Sequence, residues 1–143
     1  MNLLIVDNEI VQVENLSIGL SSRGYHVLQA LSGQEALNLI ENDANQIDLV
    51  ITDYAMPEMN GIELLQHIRS RHGALPVILM TAYGQRDLVL DALRNQCNGF
   101  IDKPFTLDWL LHEIERVKSS KFQNMTPGTP EKSNPPSPVA FMP

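Results

Sequence analysis

The chain has 143 residues, of which 43% are hydrophobic, a size and composition that suit one soluble-type domain with a real core and a short appendage. Ten Lys and Arg stand against 17 Asp and Glu, so the formal net charge is −7. This acidic balance argues against a surface that neutralises nucleic-acid phosphates, and we expect no direct nucleic-acid binding by this chain.

Short apolar runs and helical apolar patterns alternate along the chain. Ser32 and Glu35 hold the positions of a capping box before the second predicted helix, Gly61 starts the third, and Thr106 is the predicted N-cap of the last. Strict alternation predicts an α/β fold: a (βα)5 doubly wound five-stranded parallel sheet with helices on both faces. The predicted strands cover residues 3–6, 25–31, 47–52, 77–81 and 99–103.

The alternation stops near Ser119. Six of the nine prolines lie between Pro127 and Pro143, among Ser, Thr, Asn and Lys. We therefore predict a folded domain over residues 1–119 and a Pro-rich linker or disordered tail over 120–143. The sequence leaves open whether this is a single-domain protein with a tail or the front of a longer one.

The predicted compartment is the cytoplasm. One cysteine, Cys97, excludes an internal disulfide and fits a reducing environment. The N-terminus lacks the basic region and long apolar run of a signal peptide. No stretch approaches the roughly 18 apolar residues of a membrane span, so we expect no membrane partner.

Polar side chains follow four of the predicted strands where each strand ends. Asp7 and Asn8 follow the first, Asp53 the third, Thr81 the fourth and Lys103 the fifth. The carboxyl ends of parallel strands meet at one edge of a sheet, where α/β folds bind their ligands. Two acids, an amide, a hydroxyl and an amine at that edge predict a site, whereas an isolated strand-end acid would only cap a turn.

These residue types suit phosphoryl transfer to a carboxylate. Asp7, Asn8 and Asp53 offer the hard oxygen ligands that Mg²⁺ prefers. Asp53 can attack a phosphoryl group to form an acyl phosphate. The metal, the Lys103 amine and the Thr81 hydroxyl would offset the repulsion between the carboxylate and the phosphoryl oxygens.

The motifs around these residues lie in order along the chain from Leu3 to about Lys118. They read Leu-Ile-Val-Asp7-Asn8-Glu9, Ile-Thr-Asp53-Tyr-Ala-Met-Pro57 with Gly61, Met80-Thr81-Ala82, and Asp102-Lys103-Pro104-Phe105. In these motifs the chain resembles the receiver domains of bacterial two-component response regulators, those of chemotaxis regulators included. The resemblance implies a flavodoxin-like strand order 2-1-3-4-5 and transfer of phosphate to Asp53 from the phosphohistidine of a sensor histidine kinase or phosphotransfer protein.

The same resemblance implies roles for individual residues. Thr81 and Phe100 match the family's switch pair, in which an aromatic ring turns inward as the hydroxyl engages the phosphoryl group. The face made by helix 4, strand 5 and helix 5 then changes and controls an output domain or partner, with a homodimer through that face as one form. The implied Mg²⁺ ligands are Asp7, Asn8, Asp53 and the backbone carbonyl of Ala55.

The chain departs from the family pattern at positions that bear on its chemistry. Asn8 stands where a second acid is usual, which predicts weaker Mg²⁺ binding, unless Asn8 faces away and matters little. Ala55 and Tyr83 lie two residues after Asp53 and Thr81, where the family tunes hydrolysis of the acyl phosphate. Ala55 cannot orient a water and Tyr83 could shield the phosphoryl group, so we expect slow self-dephosphorylation with a half-life of minutes or longer.

Three local features stay open at this level. Gln96 stands where the family has a left-handed Gly after helix 4, with Asn95 or Asn98 as alternatives for that conformation. The Lys103–Pro104 bond is either cis or trans. Trp109 predicts a partner contact on the last helix, or else a ring that lies over its own helix or the start of the tail.

Other functional classes fit the residues less well. A phosphatase or phosphotransferase of the haloacid-dehalogenase type also uses a strand-end Asp, but it needs an acid two residues later, where Ala55 stands. A flavodoxin-like cofactor binder needs a Ser-, Thr- or Gly-rich phosphate loop where this chain has Asp7-Asn8-Glu9. A receiver that acts by protein contact alone would not need Asp53, Thr81 and Lys103. We therefore predict a regulatory phosphoacceptor rather than an enzyme.

Overall fold

The computed structural model describes residues 1–82 and 86–123 and confirms the predicted α/β architecture. All strands pair in parallel in a 5-stranded sheet of order β2-β1-β3-β4-β5. The elements are β1 (Asn2–Val6), α1 (Ile10–Ser21), β2 (His26–Ala30), α2 (Gly33–Glu41), β3 (Leu49–Asp53), α3 (Gly61–Arg71), β4 (Val77–Ala82), α4 (Arg86–Arg94), β5 (Gly99–Lys103) and α5 (Leu107–Gln123). Between α2 and β3, a 3₁₀ turn spans Asp43–Asn45.

Helices cover both faces of the sheet, which explains why the central strands are apolar throughout. Successive side chains of a strand point to opposite faces. In β1, Leu3 and Ile5 belong to the core cluster that includes α1 and α5, whereas Leu4 and Val6 belong to the cluster that includes α2 and α3. All four side chains are fully buried. The apolar run therefore predicts a central strand because neither face is left for water.

The helix caps agree only in part with the predicted capping box. Ser32 Oγ accepts the Glu35 N–H at 3.0 Å, but the Glu35 carboxylate accepts the N–H of Leu31, one residue before the position that a complete box requires. A complete box stands instead before α3. There Asn60 Oδ1 accepts the Glu63 N–H at 2.8 Å and Glu63 Oε1 accepts the Asn60 N–H at 2.9 Å.

The loop between α4 and β5 resolves the choice of left-handed residue. Gln96 has φ 69°, so it takes the conformation for which Asn95 and Asn98 were the alternatives. Asn98 has another role, because its Oδ1 accepts the Val77 N–H at 2.8 Å and an Arg69 N–H at 2.6 Å. Arg69 also donates to the Gln96 carbonyl at 3.0 Å, which ties the loop to α3.

The last helix is longer than its apolar pattern predicts. Thr106 Oγ1 accepts the Trp109 N–H at 3.1 Å, as expected of an N-cap. The helix continues to Gln123, so helical structure covers the first residues of the segment predicted as a linker. The remainder of that segment, residues 124–143, lies outside the described part of the chain, and the division into domain and tail stays a prediction. None of the described helices combines the length and apolar character that a membrane crossing requires.

Candidate functional site

The carboxyl edge of the sheet brings together two acids and an amine. Asp7 follows β1, Asp53 is the last residue of β3 and Lys103 is the last residue of β5. Lys103 Nζ lies 3.1 Å from Asp53 Oδ1 and 3.4 Å from Asp7 Oδ2. The side chains come from three different strands, and their contact follows from the parallel arrangement that delivers each strand end to the same edge.

The two carboxylates of Asp7 and Asp53 are more buried than the one Lys103 ammonium that they share. The Asp7 side chain is fully buried and that of Asp53 nearly so, whereas 28% of the Lys103 side chain is exposed. Burial raises the pKa of Asp53, the Asp7 carboxylate raises it further, and Lys103 offsets only part of this rise. Burial would lower the pKa of Lys103, but the Asp53 and Asp7 carboxylates outweigh it, so that pKa is raised. One shared ammonium thus leaves negative charge that a further cation could offset.

The oxygen donors fit a small hard cation that keeps part of its shell as water or phosphate. Asp7 Oδ1 accepts the Glu9 N–H at 3.0 Å, which fixes this carboxylate in the first loop. Asn8 and Ala55 are exposed beside Asp7 and Asp53. Within residues 1–82 and 86–123, no three His, Cys, Asp or Glu side chains cluster as metal ligands. A cation here would therefore have two carboxylates, with amide, carbonyl, water or phosphate oxygens completing its shell, as Mg²⁺ accepts.

Gly61, the first residue of α3, packs against the backbone of Asp53 and Tyr54. Its N–H donates to the Tyr54 carbonyl at 2.8 Å. A Cβ at Gly61 would lie 2.5 Å from the Asp53 carbonyl oxygen and 2.9 Å from the Tyr54 Cα. The start of α3 therefore packs directly on the chain at the end of β3, in a space that only glycine fits. The sequence identified this residue as a helix start, but not as a support of Asp53.

Thr81 lies at the end of β4 with a partner that sequence reasoning missed. Its side chain is fully buried, and its Oγ1 donates a hydrogen bond to Asp102 Oδ1 at 2.8 Å. Thr81 and Asp102 are also register partners in the β4–β5 pair. In the sequence, Asp102 stands out only as the first residue of the motif Asp102-Lys103-Pro104-Phe105. No signal in the sequence marks this contact, because it depends on the register of β4 against β5. Aligning the first residues of the two predicted strands, 77 and 99, would place Lys103 opposite Thr81, whereas the structure places Asp102 there.

Three further predictions concern Phe100, the Lys103–Pro104 bond and Tyr83. Phe100 lies on β5 and is 36% exposed. The Lys103–Pro104 peptide bond is cis, which closes that open choice. Tyr83 lies outside the described residues.

Trp109 is half-buried rather than exposed. Its ring stacks on His112 of the same helix, with centroids 5.9 Å apart and planes at 9°, and it packs against the core cluster beneath α5. The ring therefore forms part of the boundary of the core, although the apolar spacing of the last helix puts Trp109 outside its core stripe. This is the alternative in which the ring lies over its own helix; a partner contact at Trp109 stays a prediction.

Comparison with known proteins gives consistent matches. The chain matches the family described as "Response regulator receiver domain" over residues 3–115. It is 38% identical over 120 residues to the chemotaxis protein CheY1 of Helicobacter pylori, a match that covers 82% of this chain and 96% of CheY1. It is 34% identical to the transcriptional regulatory protein ZraR of Escherichia coli, covering 82% of this chain but 26% of ZraR.

Two further matches show the same unit alone and within a larger protein. The sensor kinase CckA of Brucella abortus is 33% identical over 115 residues, covering 80% of this chain and 12% of CckA. A solved receiver-domain protein from Clostridium thermocellum superposes with a TM-score of 0.80 at 30% identity, covering 87% of this chain and 98% of that one. The matched unit is thus nearly all of some relatives and a small part of others.

Proposed function

The chain belongs to the response regulator receiver domain family, and from this premise we propose that it is a signalling switch in which Asp53 is the phosphoacceptor. Receiver domains are regulatory phosphoacceptors of two-component systems and are phosphorylated by histidine kinases. The observation that carries the assignment to Asp53 is the contact of this nearly buried carboxylate with Lys103, which also contacts Asp7. The proposed partner is a sensor histidine kinase or phosphotransfer protein, in the cytoplasm.

The proposed reaction transfers the phosphoryl group between two side chains. An Asp53 carboxylate oxygen attacks the phosphorus of a phosphohistidine, the P–N bond breaks as the O–P bond forms, and the leaving imidazole takes up a proton. Lys103 moves from pairing with Asp53 to pairing with a phosphoryl oxygen. When bound by Asp7, Asp53, Asn8 and the Ala55 carbonyl, Mg²⁺ supplies positive charge against the transferring group.

The proposed response to phosphorylation takes place at Thr81 and Phe100. Thr81 would donate its hydroxyl to the phosphoryl oxygens, and the Phe100 ring would turn inward. The α4–β5–α5 face carries exposed apolar side chains, among them Leu90, Leu93 and Phe100, which supports a role in contacting an output domain, a partner or a second copy. Relatives such as ZraR are several times longer than the matched region, so the output of this chain is part of the proposal.

An enzyme with an Asp nucleophile is the second candidate, and the loop after β3 disfavours it. A phosphatase of the haloacid-dehalogenase type needs an acid two residues after the nucleophile to protonate the leaving group. Ala55 has no such group. The same residue cannot orient an attacking water, so we propose that the chain catalyses only its own phosphorylation and a slow self-dephosphorylation. Tyr83 is the other residue to which we attribute the slow rate.

The test is phosphorylation by acetyl phosphate with Mg²⁺, read by intact mass. We expect the wild type to gain about 80 Da, one HPO₃ group, and to lose it with a half-life of minutes or longer after the donor is removed. Asp53→Asn should gain nothing, whereas Asp43→Asn, a change at an exposed acid away from the site, should behave as wild type. In the same assay Asn8→Asp should lower the Mg²⁺ concentration needed for half-maximal rate.

Two results would count against the proposal. An unmodified wild type would remove the switch function, and an equal adduct on Asp53→Asn would remove Asp53 as the acceptor. An unchanged Mg²⁺ requirement in Asn8→Asp would mean that residue 8 faces away from the metal.

A further inference from the structure

The hydroxyl of Thr81 is already occupied in the resting structure. Thr81 Oγ1 donates to Asp102 Oδ1 at 2.8 Å, and the two residues face each other across β4 and β5. Thr81 is fully buried, whereas Asp102 is exposed at the rim of the edge strand. A threonine hydroxyl has one proton and can donate to one acceptor at a time. The hydrogen bond to Asp102 therefore competes with any other use of that proton.

We propose that Asp102 is a positioning residue that holds the Thr81 hydroxyl in the unphosphorylated protein and so sets the threshold for switching. The inference rests on the proposed function, because Thr81 must release Asp102 before it can donate to a phosphoryl group on Asp53. Phosphorylation shifts the Thr81 hydroxyl away from Asp102 only to the extent that the phosphoryl oxygens are better hydrogen-bond acceptors than the Asp102 carboxylate.

The position of Asp102 on β5 links this hydrogen bond to Phe100. Alternate residues of a strand lie on the same face, so Phe100 and Asp102 share one face of β5. Their register partners on β4 are Leu79 and Thr81. A Thr81 held by Asp102 thus keeps the β4–β5 pair in the arrangement in which Phe100 is 36% exposed. Release of the hydroxyl and movement of the ring then belong to one two-state change.

Removal of the carboxylate should favour the switched state. In Asp102→Ala the resting state keeps a buried Thr81 hydroxyl without this acceptor, while the state bound to a phosphoryl group loses nothing. Hydrogen bonds of this kind contribute about 1 kcal/mol net, and Asp102 is exposed, so we expect the switched state to gain about three- to tenfold in population.

The experiment titrates beryllofluoride, a phosphoryl analogue, at fixed Mg²⁺ and follows the bound form by ¹⁹F NMR. Asp102→Ala should lower the half-saturating concentration about three- to tenfold. Asp102→Asn keeps an oxygen acceptor without the charge, so its value should lie between those of Asp102→Ala and wild type. In the Thr81→Val background, which lacks the hydroxyl and keeps the shape, Asp102→Ala should have no effect.

The outcomes separate this inference from the function on which it rests. If wild type does not bind beryllofluoride, the proposed function fails and the inference with it. If wild type binds and Asp102→Ala matches it, the inference alone is overturned. Equal gains from Asp102→Ala and Asp102→Asn that persist in the Thr81→Val background would also overturn it, because they would show loss of charge repulsion rather than loss of a hydrogen bond.

Discussion

The polar edge of the sheet has two parts, called here the reactive end, at β1 and β3, and the second end, at β4 and β5. They differ in how well their charges and hydrogen-bonding groups are paired. At β1 and β3, the carboxylates of Asp7 and Asp53 share the single ammonium of Lys103, and the pKa of Asp53 is raised. At β4 and β5, the Thr81 hydroxyl donates a hydrogen bond to Asp102 at 2.8 Å. In the proposed switch, the reactive end would gain from an added cation or from modification of Asp53. The hydrogen bond at the second end would oppose the change and set its threshold.

Loss of the shared ammonium should have the largest effect on the reactive end. Lys103→Gln leaves two buried carboxylates facing each other, so we expect it to destabilise the protein by about 2 kcal/mol at neutral pH in EDTA. This is less than the roughly 3–5 kcal/mol of a fully buried pair, because Lys103 is partly exposed. Urea unfolding measures the loss, and phosphorylation by acetyl phosphate should slow in parallel.

The pH dependence of Lys103→Gln follows from the raised pKa of Lys103. The contribution of the ammonium is complete below its ordinary pKa of 10.5 and is lost as the pH rises through the raised value. The difference in unfolding free energy between wild type and Lys103→Gln should therefore be constant near neutral pH and should disappear at alkaline pH. Lys118→Gln is the control, because Lys118 pairs with Glu115 and lies over the Tyr25 ring on the exposed face of α5, and its loss should cost no more than about 1 kcal/mol. Equal stability of wild type and Lys103→Gln at pH 7 would contradict the charge imbalance.

The next largest loss of stability should come from a change at Gly61, which packs against the Asp53 backbone. Gly61→Ala places a methyl group 2.5 Å from the Asp53 carbonyl oxygen, which is backbone and cannot turn aside. We expect a net loss of about 2 kcal/mol in unfolding free energy, since overpacking exceeds the gain in helix propensity. Thermal unfolding checks it, with Gly73→Ala as a matched control whose Cβ meets only the Arg69 carbonyl oxygen at 3.8 Å. A neutral Gly61→Ala would show that α3 can shift away from the site at little cost.

The predictability of these two ends from sequence differs for a physical reason. Asp7, Asp53 and Lys103 could be placed together because each is a strand end, and parallel strands end at one edge. The role of Asp102 could not, because it depends on the register of β4 against β5, which residue spacing within a strand does not set. The half-buried ring of Trp109 depends likewise on a helix rotation that tertiary packing decides. The complete capping box at Asn60 was different, because Asn60 and Glu63 stand at its signature spacing and could have been recognised from sequence.

The smallest effect is a gain in stability when the reactive carboxylate loses its charge. Burial and the Asp7 carboxylate raise the pKa of Asp53 in the folded protein, so folding disfavours its ionised form. Asp53→Asn removes that charge and leaves Lys103 to pair with Asp7. We expect the variant to be more stable than wild type by about 1 kcal/mol at pH 7 without Mg²⁺.

The pH profile of Asp53→Asn distinguishes this cause from better packing. An acid whose folded-state pKa is raised destabilises the protein fully above that raised value and not at all below its ordinary pKa of 3.8. The advantage of Asp53→Asn should therefore be constant at neutral pH and vanish as the pH falls toward 3.8, as measured by urea unfolding across that range. Asp48→Asn, a change at an exposed acid before β3, should show no such gain. An advantage that persists in acid would assign the gain to packing, and Asp53 would then hold no unfavourable charge to drive its reaction.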